Sequence, residues 1–324
     1  MRSPLFMLAI AAAASLPLAT APAAADTVKV TALGSHDGEF CRADRAMLFE
    51  DPTGTTVLFD AGRTVAGPDD PRIGKLDVVL LSGVHKDHIG DKHMAAVNAG
   101  TCKKPAAKVS LAPNSLTATI TAKKNAKLVV GGEMRNFLRP QVAAAGGSAK
   151  QVDVLRPGGK RKIGGVTIAI VTAVHSNGLS HDFLGEGMAG SMKADGITAY
   201  VGPESGYVLT FSNGLVVYLS GDTGHTADMA TIVKGYYGAE LAVMAIGDIY
   251  TMGPEEAAFA VNVLIQPKAV IPTHANEVAT TGGKVNAGTK TATFTSLVQG
   301  IPVHPPLSGV TMEFDGDAKC VSGC

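Results

Sequence analysis

The segment Ser82-Gly83-Val84-His85-Lys86-Asp87-His88-Ile89-Gly90-Asp91 constrains this chain more than any other, because it follows directly on the apolar run from Leu76 to Leu81. A short, β-branched run that is apolar on both faces reads as a strand buried within a sheet. His85, Asp87 and His88 then stand close together at the mouth of that sheet, where one loop can aim them at a single point. Neutral imidazole and carboxylate suit zinc, and a catalytic zinc keeps one coordination position open for water. Taken alone, the segment also reads as a charged surface loop.

Three further strand ends repeat the arrangement. Val174-His175-Ser176 follows the apolar stretch from Val166 to Ala173. Ser220-Gly221-Asp222-Thr223-Gly224 follows Leu215 to Leu219, and Pro272-Thr273-His274 follows Ala269 to Ile271. Binding sites of α/β folds gather just past the ends of buried strands. A lone histidine in such a place is more often structural, but ligand-type residues at all of these strand ends point to one metal centre.

The remaining pattern supplies the scaffold. Thr27 to Leu33 and Ala46 to Asp60 read as strands, the second broken by a turn around Asp51-Pro-Thr-Gly. Ser205 to Ser212 and Leu215 to Ser220 are joined by an Asn213-Gly214 hairpin turn. Leu241 to Ile246 is another buried strand, and Gly253-Pro254-Glu255-Glu256 opens a helix with proline at its first position and two acids at its positive end. His93 to Asn98 reads as the start of a helix, while residues from about 103 to 150 mix strand and helix signals. Strands alternating with helices, interrupted by hairpins, imply an α/β fold in which a pair of mixed sheets is covered by helices, not a plain doubly wound sheet.

The first residues read as an address. Arg2, the apolar stretch from Leu5 to Ala19 and the small residues Ala23-x-Ala25 predict a signal peptide over residues 1–25, removed to leave one large α/β domain over 26–324. A retained N-terminal anchor is the alternative. Export implies a periplasmic or secreted protein. With 28 basic and 28 acidic residues, no charge excess favours nucleic acid or an anionic membrane. The expected partner is a small-molecule substrate, and an oligomer is compatible with the sequence. Cys41, Cys102, Cys320 and Cys324 allow three pairings in an oxidising compartment. Cys41–Cys102 with Cys320–Cys324 is favoured, the latter two being close in sequence.

These motifs together resemble the metallo-β-lactamase superfamily, whose first motif is His-x-His-x-Asp-His. The chain is especially similar to the simple metal-dependent hydrolases that include the ascorbate-phosphate lactonase. That resemblance runs from Gly221-Asp222-Thr223 through Asp228-Met229, Ile246-Gly247-Asp248 and Thr251-Met252-Gly253-Pro254-Glu255 to Ile271-Pro272-Thr273-His274. It implies a metallo-β-lactamase-like αββα sandwich, two mixed β-sheets face to face and flanked by helices. Carried over residue by residue, it implies His85 and His175 at a first metal position and Asp87, His88 and His274 at a second, with Asp222 bridging. The family's first histidine falls on Gly83, which cannot ligate a metal. One zinc is therefore expected to be held tightly at the second position, with the first weak or borrowing a ligand. His181, His225, Glu186 and water are the candidate substitutes. Restoring Gly83→His is expected to raise affinity for a second metal.

The chemistry implied is metal-assisted hydrolysis, in which zinc lowers the pKa of bound water toward about 7. Asp87 or Asp222 would orient that water and pass a proton to the leaving group. Lactones, esters, amides and activated halides all remain open as substrates, since the fold does not choose among them. The alternative is an exported metal-binding protein on the same scaffold with weak or no catalysis, for which Gly83 is the best argument. Glu186, Met188, Met192 and Tyr250 are candidates for the pocket wall.

Overall fold

The computed structural model describes residues 26–324; the expected signal peptide lies outside the described residues. The apolar runs of the sequence become two sheets. In the first, β1 (Val28–Ala32), β2 (Met47–Glu50) and β3 (Thr56–Phe59) pair antiparallel, and β4 (Val78–Leu80), β5 (Lys127–Gly131) and β6 (Val152–Leu155) continue it in parallel. The second sheet runs β7 (Lys160–Ile163), β8 (Val166–Thr172), β9 (Ser205–Thr210), β10 (Val216–Leu219), β11 (Leu241–Ala245) and β12 (Ala269–Thr273). Its first three pairings are antiparallel and its last two parallel. At the far side of the first sheet, β13 (Thr311–Phe314) pairs with β1, and β14 (Cys320–Ser322) with β13.

The sheets pack face to face. Val28, Val30, Phe49 and Val57 of the first meet Val166, Ile168, Leu209 and Val217 of the second in one buried cluster. Full burial of each such side chain contributes about 1.5–3 kcal/mol. The outer face of the first sheet is covered by α2 (Leu116–Lys123) and α3 (Met134–Ala144). The outer face of the second is covered by α5 (Pro254–Phe259), its wide-turn continuation over Ala260–Ile265, and α6 (Lys290–Leu297). The result is the expected αββα sandwich. Between its sheets, the hydroxyl of fully buried Tyr207 donates to Leu81 O (2.7 Å) and Val129 O (3.1 Å), pinning the end of β4 from the opposite sheet.

One expected helix is not there. His93 begins no helix: Lys92–Met94 pairs antiparallel with Ala107–Ser110, and Asn98 (φ 67°) and Gly100 (φ 88°) turn the chain left-handed, a conformation a continuing helix does not accept. Both favoured disulfides are formed, Cys41–Cys102 and Cys320–Cys324. The first closes a loop with a sequence separation of 61 and ties the segment before Asp44 and Arg45 to the Lys92–Ser110 excursion. Cross-linking so long a loop restricts the unfolded chain, so Cys41→Ser with Cys102→Ser is expected to lower unfolding stability by about 2–4 kcal/mol. Urea denaturation of the double variant against the oxidised parent measures it; an unchanged midpoint would refute it.

Candidate metal centre

Strand direction assembles the site. β8 and β10 both run antiparallel to β9, so the carboxyl ends of β8, β10, β11 and β12 share one rim of their sheet. His175, Asp222 and His274 leave that rim immediately after β8, β10 and β12. Facing it, β4 delivers Ser82 to His88, in which His85 is extended (φ −61°, ψ 144°) and the single turn α1 (Lys86–Ile89) follows, stopped by left-handed Gly90 (φ 76°). The extended residue and the turn send His85 one way and Asp87 and His88 the other.

Two groups of donors result, His85 with His175 and Asp222, and Asp87 with His88 and His274, the donor atoms of each lying within 4.8 Å of one another. The His85 and His175 rings meet edge to face at 5.1 Å, while the His88 and His274 rings stack at 5.2 Å. A single oxygen, Asp222 Oδ2, lies 3.1 Å from His88 Nε2, 3.4 Å from His274 Nε2 and 3.9 Å from His175 Nε2. It is therefore the atom common to both groups. His274 Nε2 is also 3.6 Å from Asp87 Oδ2. A tetrahedral metal with bonds of about 2.0–2.2 Å spaces its donors roughly 3.3–3.6 Å apart, and these separations bracket that spacing. His274 Nε2, which faces Asp222 Oδ2 and Asp87 Oδ2, is buried without a hydrogen-bond partner among the described residues. Buried polar atoms are nearly always satisfied, and a cation among these donors satisfies this one. The residues present fit a metal.

Behind the donors stand residues that fix their aim. His88 Nδ1 lies 2.7 Å from Asp60 Oδ2, and Asp60 in turn accepts hydrogen bonds from Ser82 N (2.8 Å) and Ser82 Oγ (2.7 Å). A carboxylate on the far nitrogen fixes which nitrogen of a metal-binding histidine faces the centre. Asp60 (φ 45°) and His274 (φ 52°) both hold left-handed backbone, a strained arrangement that concentrates at functional sites. Buried Arg45 places Nη1 2.6 Å from Asp87 Oδ2 and donates Nη2 to Asn276 Oδ1 at 3.2 Å.

The electrostatics follow. Burial alone raises the Asp87 and Asp222 carboxyls, but Arg45 beside the first and His88 and His274 beside the second reverse this, so both lie well below the usual carboxylate range. Burial alone would depress His88, yet Asp222 and Asp60 hold it well above the ordinary imidazole value. Burial depresses His85 and His274. Glu204, only 3% exposed, is pushed well above the carboxylate range by burial; nearby His88 opposes that shift, and Asp222, Asp60 and Asp87 reinforce it.

The shift on His88 has a measurable sign. The raised His88 favours a ring protonated on both nitrogens in the metal-free protein, and a metal reaching Nε2 must displace one of those protons. That proton stabilises the metal-free fold below the unfolded value near 6.5, a contribution lost as pH rises through the raised folded value. Metal uptake at neutral pH is therefore expected to release protons, with affinity falling as pH falls. Calorimetric titration in two buffers of different ionisation heat reads this directly; equal heats in both would contradict it.

Five of the six donors, all but the buried His88, line a cleft of about 560 Å³ together with Arg42, Arg63, Asp248, Tyr250, Asn276 and Lys290. Tyr250 is thus a wall residue as expected, whereas Glu186, Met188 and Met192 sit on the exposed helix α4 (Glu186–Ala194) and do not line it. None of the three protein substitutes expected for the missing imidazole belongs to either donor group, although His181 shares a neighbouring pocket with His85. His181 Nε2 is bonded to Ile197 O at 2.6 Å, exposed His225 packs on Phe259, and Glu186 is exposed. Lys86 pairs with Asp182 at the surface. Sequence reasoning missed Arg45, Asp60 and Glu204. Asp60 carried a signal, since it too follows directly on a buried strand.

Comparison with known proteins bears on the family and the fold. Residues 44–274, from the neighbour of Arg45 to the last donor, match the family described as the beta-lactamase superfamily domain. A UPF0173 metal-dependent hydrolase of Koribacter versatilis is 31% identical over 227 residues, covering 69% of this chain and 77% of that protein. A relative of the same description from Roseiflexus castenholzii is 32% identical over 230 residues, 69% of this chain and 76% of its own. Among solved structures, the metallo hydrolase Igni18 of Ignicoccus hospitalis aligns with a TM-score of 0.57 at 21% identity, covering 89% of this chain and 99% of that one. The metallo-beta-lactamase fold protein YhfI of Bacillus subtilis aligns at 0.53 and 16%, with the same coverage.

Proposed function

The chain belongs to the β-lactamase superfamily and is a metal-dependent hydrolase, and on that premise we propose that it uses zinc to hydrolyse a small carbonyl ester or lactone outside the cytoplasm. The observation that carries the reading is the convergence of four imidazoles and two carboxylates from four strand ends into two adjoining groups. Nitrogen and carboxylate donors of this kind suit zinc. Asp87, His88, His274 and Asp222 would hold one zinc tightly, and His85 and His175 would share Asp222 toward a second.

When bound, the metal supplies Lewis acidity and a water whose pKa is brought near 7. The chain's own residues supply the rest. Arg45 keeps Asp87 ionised in the cleft, so Asp87 can accept a hydrogen bond from the attacking water and orient it. Asp60 and Ser82 keep His88 from rotating. Exposed Arg42 at the mouth and Tyr250 on the wall are placed to meet a substrate that combines an anionic group with an apolar arm. The two disulfides and the N-terminal apolar segment support export, since such bonds persist in oxidising compartments.

The test is a screen of lactones, esters, amides and activated aryl halides with the purified enzyme, repeated after chelation and after zinc is restored. Hydrolysis lost on chelation and recovered with zinc supports the reading. Hydrolysis that survives chelation with no metal left in the protein contradicts it.

A further inference from the structure

The hollow at Gly83 is filled. A Cβ placed on Gly83 would overlap both carboxylate oxygens and the Cδ of Glu204, so the glycine is required by the glutamate that stands against it. Glu204 is brought there by β9, which runs antiparallel to its neighbours and therefore starts at the rim where the other strands end. Its position is pinned from both sides. Ser205 N donates to Ser82 O at 2.9 Å, and Asn177 bridges the two segments, accepting from Val84 N at 2.8 Å and donating to Gly202 O at 2.9 Å. A side chain 3% exposed is thus directed at the loop that carries His85 and His88, and its Oε2 has no hydrogen-bond partner among the described residues. A carboxyl so buried ionises only beside a cation or a compensating hydrogen-bond donor.

We infer that Glu204 takes the place of the missing imidazole as the third side chain holding the first metal, with His85 and His175 and with Asp222 shared. This rests on the metal-hydrolase reading above. Glu204 is not among the donors already within 4.8 Å of one another; it stands at the root of the absent side chain. The pairing of Gly83 with Glu204 is then a reciprocal exchange, with the small residue on the loop and the donor on the facing strand. It also reverses the expectation for Gly83→His alone, since the new side chain must displace the glutamate before it can reach a metal.

The test is zinc binding to the full mature chain, measured by plasma mass spectrometry after equilibrium dialysis and by competition with a chromophoric chelator. Circular dichroism reports folding in parallel. Wild type is expected to bind a first-position zinc that Glu204→Gln and Glu204→Ala weaken at least about tenfold, while the second zinc is unaffected. Gly83→His combined with Glu204→Ala is expected to recover the lost zinc, and Gly83→His alone is not. Wild-type zinc content and affinity in both Glu204 variants would overturn the inference. So would a Glu204→Gln enzyme that keeps both metals and loses only hydrolysis, which would make the residue a proton donor. A wild-type chain that binds no zinc contradicts the metal-hydrolase reading itself, a result distinct from either.

Discussion

His88→Ala is expected to reduce hydrolysis of any responsive substrate by at least about 100-fold, since losing a histidine's orienting partner alone costs 10–100-fold in metal affinity or activity. His88 stands between two buried carboxylates. Its Nε2 faces Asp222 at 3.1 Å and its Nδ1 faces Asp60 at 2.7 Å. Removing the ring takes away one donor of the tighter metal position. It also leaves Asp60, 1% exposed, with Ser82 as its remaining partner. An uncompensated buried charge costs about 3–5 kcal/mol, so the variant should also unfold at lower temperature. Hydrolysis at the wild-type rate by a folded His88→Ala enzyme would rule out the metal mechanism.

Asp222→Ala is expected to have the larger effect on metal content, emptying both positions. Asp222 Oδ2 is the atom within 3.9 Å of His88, His175 and His274 alike. Without it His88, His175 and His274 lose the one carboxylate oxygen they share, and the repulsion between any metal ions bound there is no longer offset. Asp222→Asn preserves the shape and removes the charge, so it separates the two contributions. Zinc content near zero in both variants is the expected result. An Asp222→Asn protein holding wild-type zinc would show that the carboxylate does not bridge.

Much of this architecture is legible because buried strands are short apolar runs, and the ligand-type residues sit just past their ends. The rule that singled out His85, His175, Asp222 and His274 needs only periodicity and chain direction. Applied to Thr56–Phe59 it also finds Asp60. It does not find Glu204, because β9 is antiparallel and the glutamate precedes its strand. A residue entering the rim from the amino end of a strand becomes visible once sheet topology is known. Arg45 escapes for a similar reason: it approaches Asp87 from the segment before β2, 42 residues away, and no local pattern marks it.

The region from 103 to 150 is opaque for other reasons. Helix α2 reads Leu-Thr-Ala-Thr-Ile-Thr-Ala-Lys, where β-branched threonines suggest a strand. Packing on the first sheet, together with the Ser115 cap that accepts from Ala118 N, makes it a helix. Helix α3 carries Pro140 within its span, a residue that ordinarily ends a helix. The buried side of α3, with Met134, Leu138 and Val142, holds it against the sheet nonetheless. In both segments tertiary burial overrides local propensity.

The central claim is that this chain is a hydrolase working through metal held by its six convergent side chains. Metal content of the mature protein, purified without chelator and measured by plasma mass spectrometry before and after zinc is supplied, tests it most directly. The account predicts zinc retained through purification at the position of Asp87, His88, His274 and Asp222, with further zinc taken up at His85, His175 and Glu204 once it is supplied. A folded protein that contains no metal, and takes up none when zinc is supplied, would contradict it.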